Sequence, residues 1–238
     1  MNDEPSPPKR RWRNRQITSP SGERQMATRI KKKNVPKESS RKWIERQIND
    51  PYVQRALAEG WRARSAFKLI ELDEKFSILG RGQRVVDLGA APGGWAQVAV
   101  KKGARAVVGI DLLPVDPLLG AQFLQMDFLD PGAPSALRKA LDGAPDVVLS
   151  DMAANTTGHA RTDQIRTGAL AEAAAEFALR HLAPGGAFVT KAFQGGLNAE
   201  LLGELKRGFA WVRHAKPPAS RAESSEVYVV AQGKKARD

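Results

Sequence analysis

The sequence predicts an α/β fold with a mostly parallel, seven-stranded sheet covered by helices on both faces. Five short apolar runs alternate with helical stretches through the middle of the chain, and these runs are apolar throughout. Such alternation is typical of a parallel sheet that is buried on both sides. Two further strand-like runs follow with no helix between them. They predict a C-terminal antiparallel hairpin that joins the same sheet.

Three helices are predicted before the first strand. They are SSRKWIERQIND (39–50), PYVQRALAEG (51–60) and RSAFKLIELDEKF (64–76). Ser39 or Ser40 suits the cap of the first helix. Asp50 and Pro51 suit the start of the second, and Gly60 suits its end.

The alternating part of the chain can be placed by residue number. The strand-like runs are Arg84–Leu88, Ala106–Ile110, Ala121–Met126, Asp146–Leu149 and Gly186–Thr190, followed by 209–217 and 225–233. The helical stretches are Gly94–Lys102, Pro134–Leu141, Asp163–Leu182 and Ala199–Gly208.

Positive charge is concentrated at the N-terminus. The net charge is +12, and residues 1–42 hold 13 Lys and Arg against 4 Asp and Glu, a balance of +9 that leaves +3 for the other 196 residues. This segment has few large apolar residues, so burial cannot offset the entropy of ordering it. We therefore expect a basic, disordered tail at 1–38 and one domain at 39–238. Such a tail is attracted to polyanions, above all nucleic acid, and a solubilising or targeting role is the alternative.

Composition excludes several classes of protein. The chain has no cysteine and only three histidines, so we expect neither a disulfide framework nor a metal site. No apolar run is long enough to cross a membrane, and the start MNDEPSPPKR lacks the apolar core of a secretory signal. These features predict a soluble, cytoplasmic protein without a membrane partner.

The stretch DLGAAPGGWAQ (87–97) follows the first predicted strand and opens a helix. Ligands of open parallel sheets bind beyond the carboxyl ends of the strands, where the strand order reverses. Glycines at such a turn allow the backbone to approach a ligand and adopt positive φ. Gly89, Gly93, Gly94 and Trp95 are therefore candidate cofactor-binding residues.

Acidic residues at the next two strand ends narrow the choice of cofactor. Asp111 lies at the end of the second strand, where a carboxylate can accept both hydroxyls of a ribose, and Asp127 follows the third, where it suits an adenine amino group. The turn reads G-A-A-P-G-G, which fails the spacing of a dinucleotide fingerprint and lacks the G-K-[ST] of a P-loop. A single nucleoside without pyrophosphate fits S-adenosylmethionine better than NAD. For each acid alone, a strand-end or helix-capping role is an equal alternative.

The motifs DLGAAPGGW, DLLPVDP, FLQMDF, LSDMA, LAPGGAFVTKAFQG and SEVYVVA follow DPYVQRALAEGWRARSAFKL in this order. In order and spacing they resemble the FtsJ-type ribosomal RNA 2′-O-ribose methyltransferases over residues 39–234. The resemblance implies a Rossmann-like class I fold that depends on S-adenosylmethionine. It also implies the ribose 2′-hydroxyl of a uridine as acceptor, in the A-loop of large-subunit rRNA. The large ribosomal subunit, late in its assembly, would be the partner of a monomeric enzyme.

The resemblance also implies a catalytic tetrad of Lys68, Asp151, Lys191 and Glu226. A ribose hydroxyl is a weak nucleophile, so it needs either a base or a cation that stabilises the forming alkoxide. Lys191 is the candidate proton acceptor, provided that burial or the charge of Lys68 lowers its pKa. Asp151, also a candidate cofactor ligand, would orient this ammonium and the acceptor. Glu226 would hold one of the two lysines.

Basic side chains before Lys68 are candidates for contact with RNA phosphates. The residues that we assign to RNA binding are Arg41, Lys42, Arg62 and Arg64. Trp43 and Trp61 lie among them and can stack on a base, although packing between helices is the simpler interpretation.

Three other functions remain open from the residues alone. A methyltransferase of bases or protein is disfavoured, because SDMA (150–153) stands where amino-directed enzymes carry an Asn/Asp-Pro-Pro-aromatic element. A noncatalytic RNA-binding or ribosome-assembly protein is disfavoured by the complete tetrad. NAD-dependent oxidoreduction is the weakest candidate, because of the glycine spacing.

Overall fold

The computed structural model describes residues 48–154, 159–193 and 197–236, and the predicted α/β fold is confirmed. The helices are α1 (Pro51–Glu59), α2 (Ser65–Phe76), α3 (Gly94–Lys101), α4 (Ala133–Leu141), α5 (Ala160–His181) and α6 (Ala199–Gly208). The strands are β1 (Arg84–Leu88), β2 (Ala106–Asp111), β3 (Ala121–Gln125), β4 (Val147–Ser150), β5 (Ala187–Phe193), β6 (Phe209–Ala215) and β7 (Glu226–Lys234).

The seven strands form one sheet in the order β3-β2-β1-β4-β5-β7-β6. The first five are parallel, whereas β7 pairs antiparallel with both β5 and β6. The chain runs outward from β1 to β3 and then returns to β4, on the other side of β1. The strand order therefore reverses between β1 and β4, which is where ligands of such sheets bind.

Both faces of the sheet are covered, as the continuous apolar strands predicted. Val86, Val148 and Phe188 face a core that α4, α5 and α6 complete, and Val85 and Val147 face a second core under α2 and α3. Neighbouring residues of a strand point to opposite faces, so each strand supplies both cores.

Helix α1 begins and ends where its capping residues predicted. The Asp50 side chain accepts a hydrogen bond from the Tyr52 amide at 3.0 Å, and Gly60 ends the helix at φ 70°. The tail at 1–38 and most of the helix predicted at 39–50 lie outside the described residues, as do Arg41 and Lys42.

Strand β5 is longer than the sequence indicated. We predicted its end at Thr190, but it continues to Phe193 because β7 pairs with it as far as Phe193 and Glu226. Lys191 therefore lies inside the strand rather than after it. At β3 the difference is opposite: the strand ends at Gln125, so Asp127 lies in the following turn.

None of the helices in the described ranges has the combination of length and apolar character that a bilayer crossing requires.

Candidate active site

At Gly89 the glycine turn packs closely against Met152, in the segment after β4. Its φ is 76°, and a Cβ there would lie 2.7 Å from Met152 Cγ and 3.0 Å from Met152 Cα. The amides of Gly89 and Ala90 donate to the Ile110 carbonyl at 2.9 and 3.1 Å. The turn is thus bare because it is held between the end of β2 and the segment after β4.

Gly93 and Gly94 open α3. Gly93 has a φ of 99°, and a Cβ on it would lie 2.9 Å from Arg62 Nη1. A Cβ on Gly94 would lie 3.1 Å from Ser65 Oγ, so this glycine allows α3 to pack against α2. The first turn of α3 directs its amides toward the edge of the sheet where β1 ends, which favours an anionic group there.

Asp111 joins the glycine turn to the loop that follows β2. Its Oδ2 accepts from the Ala91 amide and its Oδ1 from the Leu113 amide, both at 2.9 Å. The side chain is half-buried, and each oxygen has a second lone pair for a ligand hydroxyl. Asp127 is exposed and accepts from the Leu129 amide at 2.9 Å, which forms a local turn.

Trp95 lies in the core rather than on the cofactor surface. It is 3% exposed, its Nε1 donates to the Ser65 carbonyl at 2.8 Å, and its ring is 5.7 Å from that of Tyr228. The Trp95 ring therefore faces the core, and the prediction that Trp95 binds the cofactor would have to be met by its backbone. The large apolar ring is buried between α2 and the sheet, where it makes more contact than it would at the surface.

Asp87, which sequence reasoning did not single out, is a fully buried carboxyl beside the turn. Neither of its oxygens accepts a hydrogen bond of good geometry in the described residues, although the Ala96 amide lies close enough to act on the carboxyl. Burial and the nearby charges of Asp151 and Asp111 raise its pKa to about 7, although the Ala96 amide favours the charged form. Its interruption of the apolar strand RVVDL was the signal that could have found it.

Lys191 and Asp151 form an ion pair where β4 ends. Lys191 Nζ donates to the Asp151 carbonyl at 2.5 Å and lies 3.1 Å from Asp151 Oδ1. The two side chains are 8% and 18% exposed. Strands β4 and β5 are neighbours, and this adjacency brings the two residues together.

Lys68 and Glu226 form the second ion pair. Lys68 lies on α2 and Glu226 begins β7, and the distance from Nζ to Oε1 is 2.6 Å. Ser220 Oγ donates to the same Oε1 at 3.1 Å. The four residues of the predicted tetrad therefore occupy one region as two ion pairs.

Tyr228 joins the two pairs and was missed from the sequence. Its hydroxyl oxygen lies 2.8 Å from Asp151 Oδ1 and 3.0 Å from Glu226 Oε1. Burial and these two carboxylates raise the pKa of Tyr228 far above its ordinary value, so the hydroxyl keeps its proton. The alternation of strand residues was the available signal, because Glu226 and Tyr228 share one face of β7.

Burial and the two lysines act in opposite directions on the pKa of Asp151. Burial acts to raise the pKa of Asp151, but the charges of Lys191 and Lys68 and the hydrogen bond from Tyr228 outweigh it. The pKa of Asp151 therefore lies below its ordinary value, and the carboxylate is charged at neutral pH. Two lysines and two carboxylates make a compact network that can hold an ammonium beside a bound hydroxyl.

A cavity of about 330 Å³ opens beside Lys68. It is lined by Arg64, Lys68, Arg221, Glu223, Ser224 and Glu226. Arg64 and Arg221 both contact Asp50 Oδ2, at 3.0 and 3.2 Å. Arg64 also donates to the Ala219 carbonyl at 2.6 Å, which fixes the β6–β7 segment against α2.

Arg62 points the other way, toward the glycine turn. Its guanidinium donates to the carbonyls of Asp116 and Pro117, each at 2.6 Å, and lies 3.4 Å from the Pro92 carbonyl. The two arginines that we assigned together to RNA binding thus have different surroundings. Only Arg64 lines the cavity beside the tetrad.

Comparisons with known proteins identify the family of most of this chain. Residues 61–234 match the model of the family described as FtsJ-like methyltransferase. Proteins named ribosomal RNA large subunit methyltransferase E are close relatives. The protein of Novosphingobium aromaticivorans is 62% identical over 76% of this chain and 82% of its own length. That of Acidiphilium cryptum is 60% identical over 88% of this chain and 93% of its own.

Among solved structures, a provisionally assigned ribosomal RNA methyltransferase of Plasmodium falciparum has a TM-score of 0.65 and 28% identity, covering 74% of this chain and all of that one. A provisionally assigned hemolysin of Streptococcus thermophilus shares the fold alone, with a TM-score of 0.54 and 14% identity over 74% of this chain and 67% of its own. The family match covers the sheet, the glycine turn and all four residues of the two ion pairs. The chain therefore belongs to the FtsJ-like methyltransferase family.

Proposed function

We propose that this protein transfers a methyl group from S-adenosylmethionine to the 2′-hydroxyl of a uridine ribose in large-subunit rRNA. The A-loop is the proposed target, and a monomer acting in the cytoplasm on the assembling large subunit is the proposed form. The observation that carries the proposal is the continuous network from Lys68 through Glu226, Tyr228 and Asp151 to Lys191, next to the glycine turn. The rRNA substrate in the names of its relatives supports it.

The surroundings of the turn suit S-adenosylmethionine, whose sulfonium and amino groups are cationic. Asp87, Asp111 and Asp151 interact electrostatically around this edge of the sheet. The Asp87 oxygens accept no hydrogen bond of good geometry from the described residues and so have unused acceptor capacity, and the α3 amides suit the carboxylate of the ligand. Asp111 would hold the ribose and Asp127 the adenine. When bound, the cofactor supplies an activated methyl group to an in-line acceptor.

Lys191 would prepare the acceptor. Two of its hydrogen-bonding directions are occupied by the carbonyl and Oδ1 of Asp151. The third can meet the ribose hydroxyl in one of two ways. A neutral amine offers a lone pair and accepts the proton, whereas an ammonium donates and stabilises the developing alkoxide. Either way Asp151 fixes the direction of Nζ. The Lys68–Glu226 pair in turn fixes Asp151 in position through the Tyr228 hydroxyl.

The cavity beside Lys68 is the proposed seat of the target nucleotide. Three cations, Arg64, Lys68 and Arg221, line it together with two carboxylates. Cations at this position suit the phosphates next to a ribose that has been turned toward Lys191. Lys68 would then touch the acceptor nucleotide as well as Glu226.

The basic residues 1–38 would add affinity for RNA. Deleting them removes several phosphate contacts, so RNA binding should weaken about tenfold or more at low salt, with a smaller salt dependence. Binding of S-adenosylmethionine should change less than twofold. Filter binding and calorimetry of the two chains compare these effects. Equal RNA affinity of the truncated and full chains would contradict a binding role for the segment.

The decisive experiment is the transfer of labelled methyl from S-adenosylmethionine to large subunits that lack the modification. Digestion and mass spectrometry of the rRNA should place the label on one uridine ribose. A label on a base would favour the alternative class of methyltransferase. Binding of S-adenosylmethionine without turnover on any form of the subunit would favour a noncatalytic assembly protein.

A further inference from the structure

Arg62 lies in the short connection between α1 and α2, two residues before Arg64. Basic residues on this connection would ordinarily be assigned to RNA, as we did from the sequence. The geometry points elsewhere: we propose that Arg62 is a positioning residue of the cofactor site, which ties the loop after β2 to the glycine turn. This inference rests on the proposed use of S-adenosylmethionine.

The guanidinium of Arg62 spans the two walls of that site. Nη1 and Nη2 each donate at 2.6 Å, to the carbonyls of Asp116 and Pro117. These carbonyls belong to the loop that begins at Asp111, the proposed ribose ligand. A planar fork with two parallel donors matches two successive carbonyls, and a lysine ammonium cannot reproduce this arrangement.

The same guanidinium rests against the glycine turn. Nη1 lies 3.4 Å from the Pro92 carbonyl, and a Cβ on Gly93 would approach it to 2.9 Å. That Cβ would also lie 3.2 Å from Val115 Cγ1. Turn, arginine and loop are therefore packed together at Gly93, so a side chain at that position would displace the Arg62 guanidinium.

The backbone of Arg62 is fixed to α3. Its amide donates to Gln97 Oε1 at 2.9 Å, and Gln97 Nε2 donates to the Gly60 carbonyl at 2.8 Å. Gln97 lies one turn into the helix that the glycine turn opens. The backbone of Arg62 is thus bound to α3 and its guanidinium to the loop, so Arg62 fixes the loop relative to α3.

Much of the loop that Arg62 contacts is exposed, although Leu118 packs against the core and the Leu112 carbonyl accepts a hydrogen bond from Gln125 Nε2 at 3.2 Å. Leu112, Leu113 and Leu119 are 62%, 64% and 95% exposed, so their side chains contribute little burial. Asp111 and Gln125 hold the start of the loop and Leu118 its end, and the Arg62 fork holds the carbonyls of Asp116 and Pro117 between them. A loop that must be ordered by its ligand binds that ligand more weakly, because the ordering entropy is lost on binding.

The test compares Arg62→Lys with Arg64→Lys by calorimetry with S-adenosylmethionine in the absence of RNA. Arg62→Lys keeps the charge but loses the fork, so the Kd should rise about tenfold. Arg64→Lys disturbs contacts of the guanidinium with Asp50, Ala219 and the Tyr52 ring, none of which belongs to the cofactor loop, so its Kd should stay within about twofold of the parent value. In turnover, Arg62→Lys should raise the KM for the cofactor while kcat at saturation and RNA affinity stay near the parent values.

Hydrogen exchange gives a readout that does not depend on any ligand. Arg62→Lys should accelerate exchange at 112–120, whereas Arg64→Lys should accelerate it at 216–225. Should Arg62→Lys fail to fold, Gln97→Ala takes its place, with an expected loss in cofactor affinity of about threefold because it frees only the backbone anchor.

Unchanged cofactor affinity in Arg62→Lys, with or without a loss of RNA affinity, would overturn the inference. The same holds for unchanged affinity in Gln97→Ala where that variant is the one measured. A parent protein that binds no S-adenosylmethionine would instead refute the proposed function. The exchange experiment would still show whether Arg62 orders residues 112–120.

Discussion

The cofactor side and the acceptor side of the proposed site are built by different means. On the cofactor side, the surface is formed by backbone carbonyls and amides of two adjacent β-α units, whose glycines adopt positive φ. Asp111 and Arg62 bind these two units to each other by hydrogen bonds. On the acceptor side, charged side chains from α2, the end of β4, β5 and β7 form a connected network. The first should therefore respond most to changes in backbone shape, and the second to changes in charge and hydrogen bonding.

The largest effect should come from the acceptor side. Lys191→Ala removes the proposed proton acceptor, so kcat should fall about 10³-fold, while the Kd for S-adenosylmethionine should stay within about twofold. Single-turnover transfer of labelled methyl measures the loss. Lys206→Ala, at an exposed position on α6, is the matched control and should keep full activity.

Lys191→Arg separates the two mechanisms. Guanidinium does not give up its proton in this pH range. Activity above about a tenth of the parent value would remove Lys191 from the base role and leave electrostatic stabilisation, whereas inactivity with intact cofactor binding would favour the base.

Gly89→Ala tests whether backbone shape controls the cofactor side. The substitution forces alanine to φ 76° with its Cβ 2.7 Å from Met152 Cγ, and strain plus overpacking should cost about 3 kcal/mol of unfolding free energy. Gly82→Ala is the matched control, since Gly82 has φ 77° with nothing within 4 Å of its Cβ. It should cost only the strain, about 1 to 2 kcal/mol. Urea unfolding of both variants gives the difference, and equal costs would contradict the close approach.

Asp87 lies where the two sides meet, and its effect depends on pH. Burial raises the pKa of Asp87 in the folded state to about 7, above the ordinary value of 3.8, so the folded state holds the proton more tightly than the unfolded state. The contribution of Asp87 to the free energy of unfolding is greatest below about pH 4, and it is lost as the pH rises toward 7. Asp87→Asn cannot titrate, so from pH 5 to pH 7 it should lose about 2 kcal/mol less stability than the parent. Parallel pH profiles of urea unfolding would contradict the buried, protonated carboxyl.

The smallest of these effects should come from Tyr228→Phe. The change removes the hydroxyl that links Asp151 and Glu226 but leaves both ion pairs, so kcat should fall about tenfold with cofactor affinity unchanged. Tyr52→Phe loses a similar hydrogen bond, to Glu71 Oε1 at 2.8 Å, and should leave kcat within about twofold. Similar kcat losses in both variants would show that general loosening, not the link, is responsible.

Local features of the sequence predicted most of the fold. Apolar runs located each strand to within a few residues, and the capping residues at Asp50 and Gly60 bounded α1. Gly89 and Asp111 could be placed at one edge of the sheet because both follow parallel strands, whose carboxyl ends lie together. What failed locally was the end of β5, which depends on its pairing with β7.

The acceptor side was harder to predict without a family resemblance. Lys68 and Glu226 are 158 residues apart in the chain, so no spacing rule relates them. Tyr228 and Asp87 were missed because a polar residue in a buried strand has many possible partners until the topology is known. The packing of Trp95 against Tyr228 could not be predicted either, because composition shows the chemistry of a side chain but not its direction.

The position of β7 has a consequence for synthesis of the protein. This strand leaves the ribosome after β6, yet it inserts between β5 and β6 and carries Glu226 and Tyr228. A nascent chain can thus form the parallel half of the sheet and its glycine turn before β7 pairs with the free edge of β5. Catalytic competence would arrive in a single late step, when the last strand closes the sheet.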